Sequence, residues 1–151
     1  TVKKTEETYK AEWTPEGFAF PLKLKGTVDR IDFKEGYYWI SDYKTGKSPS
    51  TVNAKSILPD HIFQLKFYLY LLNLLGFVKD PSSAFLSIYY TREIYSHKIF
   101  TEKLSVSDFD YFKSELNGLF TEIFNKNETF KPCEDVKNCE YCNFKLLCNR
   151  K

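Results

Sequence analysis

Two aspartates and a lysine occur on neighbouring predicted strands in a pattern that suits metal-assisted chemistry. Asp42 and Lys44 continue the alternation begun by Ile40, so these side chains share one face of a strand. Asp29 comes from the preceding strand of the same predicted hairpin, which turns at residues 34–36. Two converging carboxylates suit Mg²⁺, or Mn²⁺ in its place, because Mg²⁺ typically takes one or two protein carboxylates together with water and phosphate. The simpler alternative is a surface hairpin on which Asp42 and Lys44 form a solvated ion pair.

Three short motifs follow one another in this region. They are Gly-Thr-Val-Asp-Arg-Ile-Asp at 26–32, Asp-Tyr-Lys-Thr-Gly at 42–46, and Gln64-x-x-x-Tyr68. In this order and spacing the motifs resemble those of the RecB-type nucleases of the PD-(D/E)xK superfamily, over the chain from about Glu12 to Cys148. The resemblance implies a metal-dependent nuclease that hydrolyses DNA phosphodiester bonds. It also implies that the domain is part of a larger RecB/AddB-like recombination-repair protein with a helicase region or subunit.

The resemblance assigns roles to individual residues. The implied catalytic residues are Asp29, Asp42, Lys44, Gln64 and Tyr68, and the implied metal ligands are Asp29, Asp42 and the backbone carbonyl of Tyr43. Gln64 and Tyr68 are i, i+4 neighbours on one helix face, which His61 also shares. The family usually adds a His or Glu from an upstream helix, and no residue here matches it. The isolated domain is therefore expected to be weak or inactive.

Hydrophobic periodicity and turn residues predict the elements that would position these side chains. The first predicted segments are a loose lead-in over residues 1–11 with order from near Glu12, a strand over Phe18–Lys25 and a hairpin over residues 26–46. A loop over residues 47–59 and a helix from Asp60 to Gly76 follow. The last predicted segments are strands over Ser83–Thr91 and Ile94–Leu104 and a helix that starts at the Ser105-x-x-Asp108 capping box and buries a stripe from Phe109 to Ile123. This β-β-β-α-β-β-α order predicts an α/β fold, a mixed sheet flanked by helices. The resemblance implies that this sheet is the restriction-endonuclease-like core, with its N-terminal helix missing.

Length and composition limit the classes of protein. A chain of 151 residues that is 42% hydrophobic and 28% charged predicts one folded domain rather than a disordered segment. The net charge of +2 does not by itself predict a nucleic-acid partner, so a DNA-binding surface would need local clusters of lysine. No apolar run approaches the roughly 18 residues of a membrane span, and a cytoplasmic protein is expected. The chain starts at Thr1 and contains no methionine, which predicts a piece of a longer protein.

All four cysteines occur near the end of the chain, at Cys133, Cys139, Cys142 and Cys148. Residues 1–130 are therefore predicted to form the core and residues 131–151 a cysteine-rich tail. The crowded spacing favours a metal centre over disulfides, and four thiolates suit either Zn²⁺ or an iron–sulfur cluster. The tail resembles the iron–sulfur staple of AddB-type proteins, which implies a [4Fe–4S] cluster with Zn²⁺ as the alternative. In those relatives the fourth cysteine lies upstream of the core, whereas here Cys133 would replace it.

Two further classes of function stay open at this stage. One is a catalytically silent nuclease-like module that binds DNA or scaffolds a helicase. The retention of Asp29, Asp42 and Lys44 argues against that class, since loss of activity would most readily remove them. The other is a small zinc-knuckle interaction domain, which would explain only the tail.

Overall fold

The computed structural model describes residues 1–52, 57, 59–96, 99–127, 129 and 131–150. The chain forms two compact units, one of residues 1–118 and the other of residues 119–151. The strands are β1 (Val2–Trp13), β2 (Leu22–Lys34), β3 (Tyr37–Lys44), β4 (Ala84–Tyr90) and β5 (Ile99–Lys103), and the α-helices are α1 (Pro59–Leu74) and α2 (Val106–Ile123). The predicted mixed sheet flanked by helices is confirmed, but the predicted strand Phe18–Lys25 and the first strand of the predicted hairpin are one strand, β2, and the sequence did not predict β1. The predicted boundary between core and tail at residue 130 is not tested by these units and stays a prediction.

The five strands form one mixed sheet in the order β1-β2-β3-β4-β5. Neighbouring strands are antiparallel except for β3 and β4, which are parallel. A parallel pair requires a crossover, and α1 lies in the connection between these two strands. The end of β3 and the start of α1 are thus joined by one connection, which places both beside the same region of the sheet.

The β2–β3 hairpin turns at the predicted place. Lys34 pairs with Tyr37, which leaves Glu35 and Gly36 as a two-residue loop. Both loop residues have positive φ, 54° and 83°. That combination belongs to a type I′ turn, whose twist matches the twist of the flanking strands. The turn fixes the register of the two strands that carry the aspartates.

Helix α1 is buried on more than one side. Five consecutive residues, Tyr68 to Leu72, are all buried, because the helix packs between the sheet and α2. The contacts to α2 include Tyr70 against Phe109, with ring centroids 6.0 Å apart. On the sheet side, a Cβ built on Gly26 would lie 3.0 Å from Cε1 of the Tyr68 ring. Glycine at this position therefore permits the close approach of α1 to β2.

Several predicted boundaries are wrong, most clearly at the start of the chain. The predicted lead-in of residues 1–11 belongs to β1, an edge strand whose outward residues are polar and whose backbone pairs with β2. The predicted strand Phe18–Lys25 begins only at Leu22, because a turn with Gly17 at φ 84° precedes it and Pro21 lacks a ladder donor.

Later boundaries also shift. The predicted strand from Ile94 begins at Ile99, since residues 91–96 form a 3₁₀ helix. Some of the predicted residues lie outside the described ones, namely residues 97–98 of the predicted strand and residues 53–56 and 58 of the predicted loop. Helix α1 begins at Pro59 and ends at Leu74. Helix α2 has the predicted capping box, with reciprocal bonds of 3.1 Å between Ser105 and Asp108. The predicted buried stripe stops at Leu116, because Leu119 and Ile123 are exposed.

Candidate active site

An ion pair occupies the end of β3, where the strand would otherwise continue its apolar stripe. Asp42 is only 3% exposed, and Ile40 before it and Ile88 beside it in β4 are fully buried. The ammonium of Lys44 lies 2.9 Å from Oδ2 of Asp42. A buried carboxylate requires a compensating charge. Lys44 supplies that charge within the same strand.

A chain of hydrogen bonds extends from Lys44 to the helix. The lysine Nζ donates to Oε1 of Gln64 at 2.7 Å. The amide Nε2 of Gln64 donates in turn to the hydroxyl of Tyr68 at 2.8 Å. Only one orientation of the Gln64 amide satisfies both bonds, since the carbonyl accepts and the NH₂ donates. The two helical residues thereby hold the ammonium in one place.

The hydroxyl of Tyr68 is kept protonated by its surroundings. Burial raises the pKa of Tyr68, the hydrogen bond from Gln64 opposes the rise, and the negative charges of Asp42 and Asp29 add to it. Because the hydroxyl accepts from Gln64, its own hydrogen is available to a further acceptor. The site thus offers a neutral donor beside the ammonium.

Asp29 lies in β2, next to the end of the hairpin ladder. The last β2–β3 pair in this direction is Arg30 with Ser41, so Asp29 and Asp42 are the next residues beyond the end of the ladder. Oδ2 of Asp29 accepts a hydrogen bond of 2.9 Å from the backbone N–H of Tyr43. The two carboxylates therefore come from adjacent strands at the same edge of the hairpin.

The backbone of β2 departs from strict alternation around Asp29. Val28 and Ile31 are both buried although three positions separate them, which strict alternation does not allow. In β1 the residue that falls opposite Asp29 is Glu6, which has a positive φ of 48°. Irregularities of this kind commonly re-aim side chains beside active sites.

Arg30 and Asp32 lie on the other face of the hairpin, as the alternation predicts. The guanidinium binds the carboxylate through two bonds of 2.6 and 3.1 Å. The hydrogen bonds that Arg30 donates to Asp32 raise the pKa of Arg30 further above its usual value. Both residues belong to β2, and the pair stays outside the set of residues around Lys44.

Two residues near the ion pair had no assigned role in the sequence analysis. His61 lies one helical turn before Gln64, and its spacing already placed it on this face. Tyr90 pairs with Lys44 in the β3–β4 register and is buried. Burial, followed by the charge of Asp42, raises the pKa of Tyr90. Its position depends on the register of two parallel strands, which the mainly apolar sequence of β4 does not reveal.

The donor set at the hairpin fits a hard divalent cation. Oδ2 of Asp42 is buried and has no hydrogen-bond partner among the described residues, although it lies 2.9 Å from the ammonium of Lys44 in an ion pair. Carboxylates are ligands of the kind that Mg²⁺ accepts, and Asp29 supplies a second one from the adjacent strand. Within the described ranges, no three His, Cys, Asp or Glu side chains are grouped to hold a metal. Any cation here would thus depend on two carboxylates.

The cysteine tail is not arranged as a metal centre. Its four thiols are free, with Cys133 exposed, Cys139 buried and the other two half-buried. All four cysteines are among the described residues, and no three of them form a ligand group. The four thiols are thus not gathered into one ligand group in this structure, and the predicted iron–sulfur cluster and its zinc alternative stay predictions.

The five-stranded mixed sheet with its flanking helices is a restriction-endonuclease-like α/β fold. A profile described as PD-(D/E)XK nuclease superfamily matches residues 1–149, so the chain belongs to that superfamily and is a nuclease-like domain. The crystal structure of SSO0001 has a similar fold, with a TM-score of 0.50 and 20% sequence identity over 96% of this chain. This chain corresponds to 59% of the SSO0001 chain. A search of curated protein sequences gives no match. In the described part of the chain, no helix has the length and apolar character needed to cross a membrane.

Proposed function

We propose that this domain is a metal-dependent deoxyribonuclease that hydrolyses phosphodiester bonds. The observation that carries the proposal is the ion pair between the buried Asp42 and the half-buried Lys44, whose ammonium is also held by Gln64. A buried ion pair contributes little net stability, so its retention favours a functional role. Membership of a nuclease superfamily supports the same reaction.

Each residue of the site would have a separate task. Asp29, Asp42 and the carbonyl of Tyr43 would hold Mg²⁺ or Mn²⁺, which when bound polarises the phosphate and lowers the pKa of water. Lys44 would stabilise negative charge that develops on the phosphate, since its ammonium is already fixed before substrate arrives. Gln64 fixes the lysine, and Tyr68 supplies a neutral donor to the same region.

The wider context of the domain is also proposed. The motifs support a place in a RecB/AddB-like recombination-repair protein, acting as an exonuclease or endonuclease beside a helicase region or subunit in the cytoplasm. The cysteine spacing supports a [4Fe–4S] cluster, with zinc as the alternative, although the thiols are not gathered in this structure. Metal binding would have to draw them together, as it does where folding and binding are coupled.

Single-turnover hydrolysis tests the nuclease proposal, because excess protein reveals even weak activity. Labelled single-stranded and duplex DNA are incubated with Mg²⁺ or Mn²⁺ and, in parallel, with EDTA. We expect cleavage that requires the metal and that falls to background in Asp42→Asn. The matched control is Asp110→Asn, which neutralises an exposed carboxylate on α2. Cleavage by Asp42→Asn at the wild-type rate would contradict the proposal. DNA binding without any cleavage would favour the silent module instead.

A further inference from the structure

The imidazole of His61 has an unused nitrogen inside the proposed site. His61 lies in the first turn of α1, three residues before Gln64 and on the same face. Its Nδ1 is buried and has no hydrogen-bond partner among the residues that the structure describes. Leaving a buried polar atom unpaired is unfavourable, typically by about 1–3 kcal/mol. A hydrogen-bond acceptor supplied by a ligand would satisfy this atom.

The charges of the site act on this imidazole. Burial lowers the pKa of His61, and the positive charge of Lys44 lowers it further, while Asp42 and Asp60 oppose the change. The ring is therefore neutral near pH 7 and carries a single N–H. A neutral ring can donate from Nδ1 without placing a second full positive charge beside the ammonium of Lys44.

We propose that His61 binds the substrate, with Nδ1–H donating to a non-bridging oxygen of the phosphodiester that Lys44 faces. The inference rests on the proposed function and adds a substrate contact to it. The buried atom and the shared helix face carry the argument. Together the lysine and the histidine would contact one phosphate from β3 and from α1.

A phosphate explains the surroundings of His61 better than a metal does. Mg²⁺ prefers oxygen ligands to an imidazole nitrogen, and the ammonium of Lys44 acts on this ring. An anionic phosphate oxygen is attracted by that ammonium and accepts an N–H bond. The described residues also provide no three-ligand group that includes His61. These points select the phosphodiester as the ligand.

The imidazole ¹⁵N resonances report directly on this contact. The chain contains two histidines, so His97→Asn leaves His61 as the only imidazole and assigns its signals. The probe is a single-stranded oligodeoxynucleotide, with Ca²⁺ in place of Mg²⁺ to limit hydrolysis. We expect the Nδ1 signal of His61 to move on binding and to report the Nδ1–H tautomer, with Nε2 much less affected.

Two substitutions separate the ring nitrogens in a parallel kinetic test. His61→Asn places an amide near the position of Nδ1, whereas His61→Gln places one near Nε2. We expect His61→Ala and His61→Gln to lose about 10-fold to 100-fold in kcat/KM, the range for a hydrogen bond to a charged group. His61→Asn should recover part of that loss. His97→Asn should cleave like the wild type.

The outcomes distinguish this inference from the proposed function. If DNA moves the Nδ1 signal but nothing is cleaved, the His61 contact stands and the nuclease proposal fails. If DNA is cleaved while the Nδ1 signal stays fixed and His61→Ala is fully active, the contact is wrong and the nuclease proposal stands. Absence of DNA binding, or equal losses in the Asn and Gln variants, would also overturn the contact.

Discussion

The residues of the site show a conflict between stability and chemistry. Asp42 is nearly inaccessible to water, yet its only close charged partner among the described residues is Lys44, and one of its oxygens lacks a hydrogen bond. A protein optimised for stability alone would place apolar side chains at both positions. The arrangement instead pairs a carboxylate with a fixed cation, a combination that the proposed metal-assisted hydrolysis would use.

This conflict predicts opposite stability effects for the two partners. Lys44→Ala leaves the Asp42 carboxylate buried without its counter-ion, so the free energy of unfolding should fall by about 3 kcal/mol. Asp42→Asn removes the charge that needed compensation, so unfolding stability should be unchanged or higher. Urea unfolding of both single variants and of the double variant measures the coupling. If the change in unfolding free energy of the double variant equals the sum of the changes in the two single variants, the pair is not coupled in the folded chain.

At the scale of elements, the site depends on how closely α1 lies against the hairpin. Gly26 in β2 faces Tyr68 and Leu71 of α1, both buried. The same contact sets the distance between the sheet and the helix face that carries Gln64, and therefore the position of Gln64 relative to Lys44. The glycine in the first motif thus has a packing role in addition to its place in the sequence pattern.

Gly26→Ala should therefore disturb both packing and activity. The added Cβ would lie 3.0 Å from Cε1 of Tyr68 and 3.3 Å from Cδ2 of Leu71, and both of these side chains are buried. We expect a loss of about 1–3 kcal/mol in unfolding free energy, the usual effect of overpacking, together with slower DNA cleavage. Gly118→Ala is the control, because it faces open space within α2 and should stabilise by about 0.5–1 kcal/mol. Wild-type stability in Gly26→Ala would refute the close contact.

The sequence predicted the elements whose signals are local. The tight turn at residues 34–36, the alternation through Asp42 and the face shared by Gln64 and Tyr68 all follow from nearby residues. Strand β1 could not be predicted in this way, because as an edge strand it is held by backbone pairing and exposes mainly polar side chains. The position of Tyr90 beside Lys44 likewise depends on long-range register.

At the scale of the whole molecule, the second unit has little apolar burial of its own. Tyr141, Phe144, Leu146 and Leu147 are all exposed, and of the four cysteines only Cys139 is buried. A segment of this kind gains order most readily from a bound metal or from a partner surface. The cysteine spacing makes a metal the more specific of these two explanations.

Metal analysis of anaerobically purified protein tests the tail. We expect iron and sulfide with broad visible absorption, and loss of both in Cys142→Ser, since thiolates hold such clusters. The matched control is Ser107→Ala, which removes an exposed hydroxyl of α2. Stoichiometric zinc without iron or sulfide would overturn the cluster and leave a zinc site. If the protein contains neither iron nor zinc, both the cluster prediction and the zinc alternative are wrong.

Binding of Mn²⁺ to the hairpin carboxylates is the most direct test of the central claim, because it does not depend on turnover. Electron paramagnetic resonance follows the loss of the sharp signal of free Mn²⁺, and Mn²⁺ prefers carboxylate and carbonyl oxygens to thiolates. We predict about one tightly bound Mn²⁺ per chain, displaced by Mg²⁺. Binding should be lost in Asp42→Asn and retained in Asp110→Asn. Equal Mn²⁺ binding by the wild type and Asp42→Asn would contradict the account.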